Sequence, residues 1–419
     1  LGRIGIFSKS IHKFLVNLKR GHKEQFETVD QALIDKYFSE KALGCFSMVK
    51  PSESTKTLAS VAEDLYNLVE QFKDFKPVCA MHSYKLLERV LKEQCNLKES
   101  DDQKQVEVKK PKEIASDSLQ NPSDPDATYS GHKGQGYQVQ VMETYTDTED
   151  QEVKSKTLNL VTQVEVEKAS DSDAQALIPA IESTQKRGLG PKELEADTLY
   201  GSDENHQRAK SMGVELVAPA KGKEKQDAVS LSEFELSDEG HVLACPEGQK
   251  PLVSKKRKTR FTQSFDCETC AKCPLINGCP VRPGKKYYYL HYDERAMRIA
   301  KRRAAEQTTE FKDRYRWRAG VEATMSELDR RTGIKRLRVR GFKAVRFSAT
   351  LKAIGINLFR AAAVRMAVNY DETDHNKVKS ALNHAIFFVK EHLERIFSPL
   401  KNYFELYPNR IEHKLITKI

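Results

Sequence analysis

Apolar residues recur over the first hundred positions at the spacing of one helix face. Ile11, Phe14, Leu15 and Leu18 follow an i, i+3, i+4, i+7 rule; Val61, Leu65, Leu68 and Phe72 repeat it, and Tyr84, Leu87, Val90 and Leu91 make a third stripe. A helix returns to the same face every 3.6 residues, so each stripe predicts a helix with one buried side. Residues 1–98 therefore read as a helical region. Over 99–126 the pattern is lost among Lys, Asp, Ser and Pro, and composition predicts a linker. The period then changes to two. Residues 137–144 and 158–165 read as strands of a hairpin, parted by a polar, acidic turn region. A helical pattern over 173–188, through Ala176, Leu177, Ala180 and Ile181, ends at a glycine. A short strand over 193–197, a helix over 205–212 and an apolar strand over 214–218 follow. Such alternation predicts an α/β core with parallel strands.

Residues 221–290 are polar, basic and rich in cysteine, unlike their flanks, and read as an insertion. From Asp293 to about Met366 the pattern is helical again, and the tail 367–419 carries one more amphipathic helix near 386–396. The expected organisation is a helical region (1–98), a linker (99–126), the first part of the core (127–220), the insertion (221–290), the end of the core (291–366) and a helical tail.

Charge changes the picture. Lys and Arg number 70 against 60 Asp and Glu, a formal net charge of +10. Such an excess points to an acidic partner, nucleic acid first, although a basic protein need not bind one. Lys9, Lys13, Lys19, Arg20 and Lys23 decorate the first helix, either as a DNA-facing surface or as a solvated face. Leu1 opens the chain with no signal-peptide pattern, and the most apolar span, 347–368, is broken by Lys352, Arg360 and Arg365. A cytoplasmic protein is expected, its numbering starting inside a longer gene.

Asp197 stands where a short strand ends, within Ala-Asp-Thr-Leu-Tyr-Gly-Ser. Ligand sites in open α/β sheets lie at the carboxyl ends of strands, so a carboxylate here is placed to hold a metal; an ordinary turn or cap residue is the alternative. Downstream, Tyr315, Arg318 and Glu322 fall on a predicted helix, with Arg318 and Glu322 one turn apart. That pair is either a surface ion pair or an arginine poised beside a metal-binding glutamate. Arg330, Arg331, Lys335, Arg336, Arg338 and Arg340 crowd together just beyond, followed by Lys343. They suit either solvent or DNA phosphates.

These two blocks carry a resemblance. Residues 196–205 are similar to the second-aspartate block of bacterial insertion-sequence transposases of the DDE type. Tyr315-x2-Arg318-x3-Glu322 resembles the pattern those enzymes place on their last catalytic helix. The family's lysine seven residues after the glutamate is here Asp329, with Arg330 beside it. The resemblance implies an RNase H-like α/β catalytic core that binds insertion-sequence ends and target DNA, working as a homodimer in a synaptic complex. It also implies three carboxylates holding two divalent ions, Mg²⁺ or Mn²⁺. Asp197 and Glu322 match two of the three, and Tyr315, Arg318, Arg330, Lys335, Arg336, Arg338 and Arg340 are the expected DNA contacts.

The first aspartate closes the first, central strand of that five-stranded fold. Only four strands are legible, and those over 137–144 and 158–165 match the second and third. In similar transposases an Asp-Ser-Thr block closes the first strand, shortly before the segment that residues 1–20 resemble. The expectation is that the chain begins after that block, that the first catalytic aspartate is missing, and that the central slot is vacant or filled in. Asp124 and Asp126 are the nearby substitutes, although Ser-Asp-Pro-Asp reads as a turn.

Of eight cysteines, Cys245, Cys267, Cys270, Cys273 and Cys279 cluster. Cys270-x2-Cys273-x5-Cys279 with Cys245 upstream supplies four thiolates for a structural Zn²⁺. Cys267 is a fifth candidate, and reduced cysteines without metal are the alternative. Lys255, Lys256, Arg257, Lys258 and Arg260 lie in the same segment, where a stiffened basic finger suits DNA. A non-catalytic DNA-binding protein derived from a truncated transposase accounts for the same basic surface and cysteines.

Overall fold

A computed structural model describes residues 2–100, 103–223 and 227–368. The chain divides into two units, Leu1–Tyr145 with Leu160–Ile356, and Thr146–Asn159 with residues from Asn357 onward. In the second unit, helix Gln151–Lys156 starts on an Asp150 cap, and Arg360 donates to the carbonyl of Asn159 at 3.3 Å. The helix expected near 386–396 lies outside the described residues.

The three apolar stripes of the first unit become the buried faces of helices Arg3–Gly21, Ser54–Phe72 and His82–Gln94. Phe14 sits between Phe72 and Tyr84, with ring centroids 5.7 and 5.9 Å away. The polar run 99–126 is more than a tether. Strands β1 (Cys95–Ser100) and β2 (Gln103–Val108) form an antiparallel hairpin, and Leu119 is fully buried in the helical core. Composition misses this because few apolar side chains anchor the segment; Arg89 holds it through the carbonyls of Asp117 and Pro125.

Next come β3 (Thr128–Ser130), β4 (Gly134–Glu143) and β5 (Val161–Lys168), an antiparallel sheet in that order. Val139 pairs with Val166 and Val141 with Val164, and this face packs on Leu328, Val345 and Ala349 of the later helices. Met142, on the other face, joins Leu177, Ile178 and Ile181 of helix Leu177–Lys186. Strands β6 (Glu193–Glu195) and β7 (Glu215–Val217) form a separate parallel pair around helix Asp203–Ser211, the strand–helix–strand unit predicted.

The two sheets are not one ladder. β3 pairs with β4 only at Gly134–Gly136, so beyond that point the β4 edge away from β5 has no strand partner among the described residues. The β6 edge away from β7 is open in the same way. Tyr145 reaches Glu193 at 3.2 Å and Tyr200 reaches Gln140 at 2.6 Å, so β4 and β6 run in opposite directions. Between them lies a cavity of about 730 Å³, lined by every residue from Val139 to Tyr145 and from Glu193 to Asp197.

The cysteine-rich segment folds on its own core of Phe234, Val242, Phe261, Phe265, Leu290 and Tyr292. It holds a short hairpin, β8 (Glu235–Leu236) with β9 (Val242–Ala244). Its main sheet runs β10 (Val253–Arg257), β11 (Arg260–Phe265), β13 (Tyr288–Asp293), β12 (Arg282–Pro283). Helices Glu294–Glu306, Thr309–Tyr315, Gly320–Thr332 and Phe342–Val368 follow. None of the helices among the described residues is long and apolar enough to cross a membrane.

Candidate active site

Asp197 begins the loop that leaves β6. Its Oδ1 accepts the amide of Leu199 at 2.7 Å and its carbonyl accepts that of Tyr200, a local turn of the kind short polar side chains favour. Gly201 follows because the carbonyl of Pro219 leaves no room for a side chain. Ser202 then caps the next helix through Asn205, whose side-chain amide donates back to the carbonyl of Tyr200. The turn reading of Asp197 is thus correct, and it occupies only one of the two carboxylate oxygens.

Three polar anchors bring the later helices to this loop. Buried Asp203 accepts Arg298 at 2.7 Å and Arg302 at 3.3 Å. Glu306 accepts the amide of Ala220 at 2.6 Å, and Arg314 spans Glu193 and Glu215, each at 2.7 Å. The helix predicted through Tyr315, Arg318 and Glu322 is not continuous. An α-helix stops at Tyr315, Arg316–Ala319 tighten into a 3₁₀ turn, and Gly320–Thr332 carries Glu322. The pairing survives: Arg318 Nη1 reaches Glu322 at 3.0 Å, while Nη2 reaches Asp197 Oδ2 at 3.9 Å. One guanidinium faces both predicted carboxylates.

Burial raises the hydroxyls of Tyr200 and Tyr315 above the usual tyrosine range, and neighbouring carboxylates add to both shifts. Both rings are therefore neutral hydrogen-bonding groups at physiological pH. Trp317, the only tryptophan in the chain, lines the cavity beside Arg318, and Arg316 lies 4.6 Å over its ring. Sequence reasoning missed this residue and Arg314; the signal was the aromatic and basic density from Phe311 to Arg318.

Three other carboxylates that line the cavity are engaged by neighbouring side chains. Glu143 accepts Thr324 at 2.6 Å, Glu165 pairs with Arg346 at 3.0 Å and Glu167 accepts Gln138 at 2.7 Å. Burial raises the Glu167 carboxyl above its ordinary range. Asp124 and Asp126 lie on no central strand. Asp124 accepts Tyr137 at 2.5 Å and the amide of Gly341 at 3.0 Å, and Asp126 accepts that of Phe342 at 3.2 Å. They hold the start of helix Phe342–Val368. Among the described residues no group of three or more His, Cys, Asp or Glu is arranged to hold a metal ion.

Beyond Glu322, Arg331 pairs with Glu327 at 3.0 Å and Lys335 with Asp329 at 3.3 Å. Arg330, Arg336, Arg338 and Arg340 are exposed and make no ion pair among the described residues. In the cysteine segment, Cys245 Sγ accepts the amide of Gln249 at 3.3 Å, and Cys279 accepts that of Val281. Burial and the nearby Cys279, Cys245 and Cys273 push the Cys270 thiol up to about 11. These four sulfurs are within electrostatic reach of one another without forming a closed metal cage.

Residues 244–362 match the family model of a transposase DDE domain. The match takes in the five clustered cysteines, Glu322 and the basic run, and does not reach Asp197. No curated protein and no solved structure matches the chain. A DDE domain implies a transposase-family function with DNA as partner, and such enzymes typically use divalent metals.

Proposed function

We propose that the protein acts on DNA as an insertion-sequence transposase, cutting and joining phosphodiesters with Asp197 and Glu322 as catalytic carboxylates. On this reading Asp197 and Glu322 are two of the carboxylates that the reaction uses. The observation that carries it is Arg318, whose guanidinium faces Asp197 and Glu322 from two elements far apart in sequence. The DDE-domain match over Glu322 is the second support.

Two carboxylates facing one positive charge are a hard-oxygen donor set that suits Mg²⁺ or Mn²⁺. Asp197 and Glu322 would hold the ion, with water and phosphate oxygens filling its other positions. When bound, a pair of such ions supplies an activated oxygen nucleophile and a stabilised leaving oxygen. Arg318 grips a backbone phosphate through its planar fork, and Tyr315 packs beside it. Arg330, Lys335, Arg336, Arg338 and Arg340 neutralise further phosphates along the duplex. We assign Cys245, Cys270, Cys273 and Cys279 to one structural Zn²⁺, since amides donating to Cys245 and Cys279 suit thiolates. A cytoplasmic location and a homodimer at the synapsed ends belong to the same reading.

A non-catalytic DNA-binding protein derived from a transposase is the second reading. What favours it is that the Glu322 side chain is 71% exposed and one Asp197 oxygen is committed to its turn. Mn²⁺ titration followed by electron paramagnetic resonance separates the two. The transposase reading expects weak Mn²⁺ binding that Asp197→Asn and Glu322→Gln each abolish; binding indifferent to both leaves only the second. Supercoiled plasmid with Mg²⁺ tests cleavage itself: the transposase reading expects nicking that Asp197→Asn and Glu322→Gln each abolish.

A further inference from the structure

The sheet β10–β11–β13–β12 has two unlike faces. One buries Phe261, Phe265, Leu290 and Tyr292 in its own core. Strand side chains alternate, so the opposite face is set by register. Lys255, Thr262 and His291 form one row across three strands, and Arg257, Arg260 and Asp293 form the next. Tyr289 lies two residues before His291, opposite Arg282 of β12. The rings of Tyr289 and His291 are parallel within 3°, with centroids 6.0 Å apart, and Tyr287 meets Tyr289 edge-on at 6.2 Å.

The face is built rather than accidental. A β-carbon at Gly284 would come within 2.4 Å of the Tyr289 ring, so only glycine seats that ring where it lies. His291 Nδ1 is held by Thr262 at 3.0 Å. The turn closed by Gly284 and Tyr287 carries Lys285 and Lys286 at its exposed tip. Lys255, Arg257 and Arg260 are exposed, and the acid on this face, Asp293, is engaged in capping the helix that follows.

We propose that this face binds single-stranded DNA, with bases stacking on Tyr289 and His291 and phosphates meeting Lys255, Arg257 and Arg260. Charge complementarity selects a polyanion, and the aligned rings select its unpaired form. A duplex hides the faces of its bases and offers only groove edges and phosphates, whereas an open strand offers a π-face at every base. The site is distinct from the carboxylates at Asp197 and Glu322, and its test does not depend on cleavage.

Fluorescence anisotropy on the full chain tests it, using a labelled oligothymidylate of about 15 nucleotides and a duplex of equal length. Tyr289→Ala with His291→Ala should weaken oligothymidylate binding about tenfold or more and duplex binding less than about twofold. Tyr289→Phe, which keeps the ring, should bind like the parent. Lys255→Ala with Arg257→Ala, both at exposed positions, should lower the salt slope for the single strand by about 1.4. Oligothymidylate binding that survives loss of both rings, or duplex binding that falls as steeply, overturns the proposal. Unchanged melting temperatures show that the variants remain folded.

Discussion

Gly201 and Pro219 are locked together: a β-carbon on Gly201 would stand 1.8 Å from the carbonyl oxygen of Pro219. The next contact tightens the lock, since Lys221 donates its amide to the carbonyl of Gly201 at 3.1 Å. The loop after β6, which carries Asp197, is thereby fastened to the loop after β7. Gly201→Ala must push the two backbones apart, at a cost of about 1–3 kcal/mol. The urea midpoint should fall with an unchanged m value, and a midpoint equal to the parent's would show that the close approach is not present in solution.

His206 gives the fold a pH dependence. Burial, helped by the positive charge of Arg302, pushes its imidazole down to about 4, and Asp203 and the carbonyl of Ala218 only partly offset this. An unfolded chain protonates the ring near 6.5, whereas the folded chain refuses the proton until about 4. Its contribution is therefore full above pH 6.5 and is lost as pH falls toward 4, on the order of 2 kcal/mol in all. Denaturant unfolding at pH 7 and pH 4.5 should show this loss in the parent and a smaller one in His206→Gln. Equal losses in both proteins would assign the effect to other groups.

The cysteine assignment has an elemental readout. The purified chain should carry about one zinc, and Cys245→Ser, Cys270→Ser, Cys273→Ser or Cys279→Ser should each lose it. Cys267→Ser should retain it. Binding replaces thiol protons, so affinity should weaken as pH is lowered, the more so because Cys270 holds its proton up to about 11. Zinc-free protein with an unaltered fold would leave the four as ordinary reduced thiols.

Duplex binding should depend on the run after Glu322. Arg336→Ala, Arg338→Ala and Arg340→Ala combined should weaken binding alike for all sequences and reduce the salt slope by about 2 to 3. A slope unchanged by the triple replacement would mean that these exposed side chains face solvent alone.

Much of this structure could be read from the residues. Long amphipathic stripes such as Ile11 to Leu18 declare a helix because the buried face repeats several times, and the β6–helix–β7 unit declares itself by apolar runs and a terminal glycine. Arg318 and Glu322 were legible because i, i+4 neighbours meet across most helical turns, and here they meet even where the turn tightens. The 99–126 segment was illegible because its order comes from backbone carbonyls gripped by Arg89, which leave no compositional trace. The roles of Asp124 and Arg314 were hidden for a related reason. Their partners, Gly341 and Glu193, are distant in sequence and chemically ordinary. The aromatic face of β13 appears only once register aligns Tyr289 with Arg282 and His291 with Thr262.

The open edges of β4 and β6 also bear on how the protein breathes. Amides within one continuous ladder exchange with solvent as a unit, while ladders separated by a gap open independently. The β4–β5 pair is braced by Leu328, Val345 and Ala349, whereas the β6–β7 pair is three residues long. Hydrogen exchange in the second pair thus need not wait for the first, and Asp197 follows the shorter pair. A strand bridging the two would fuse them into a single cooperative block, making order at Asp197 inseparable from the stability of the whole sheet.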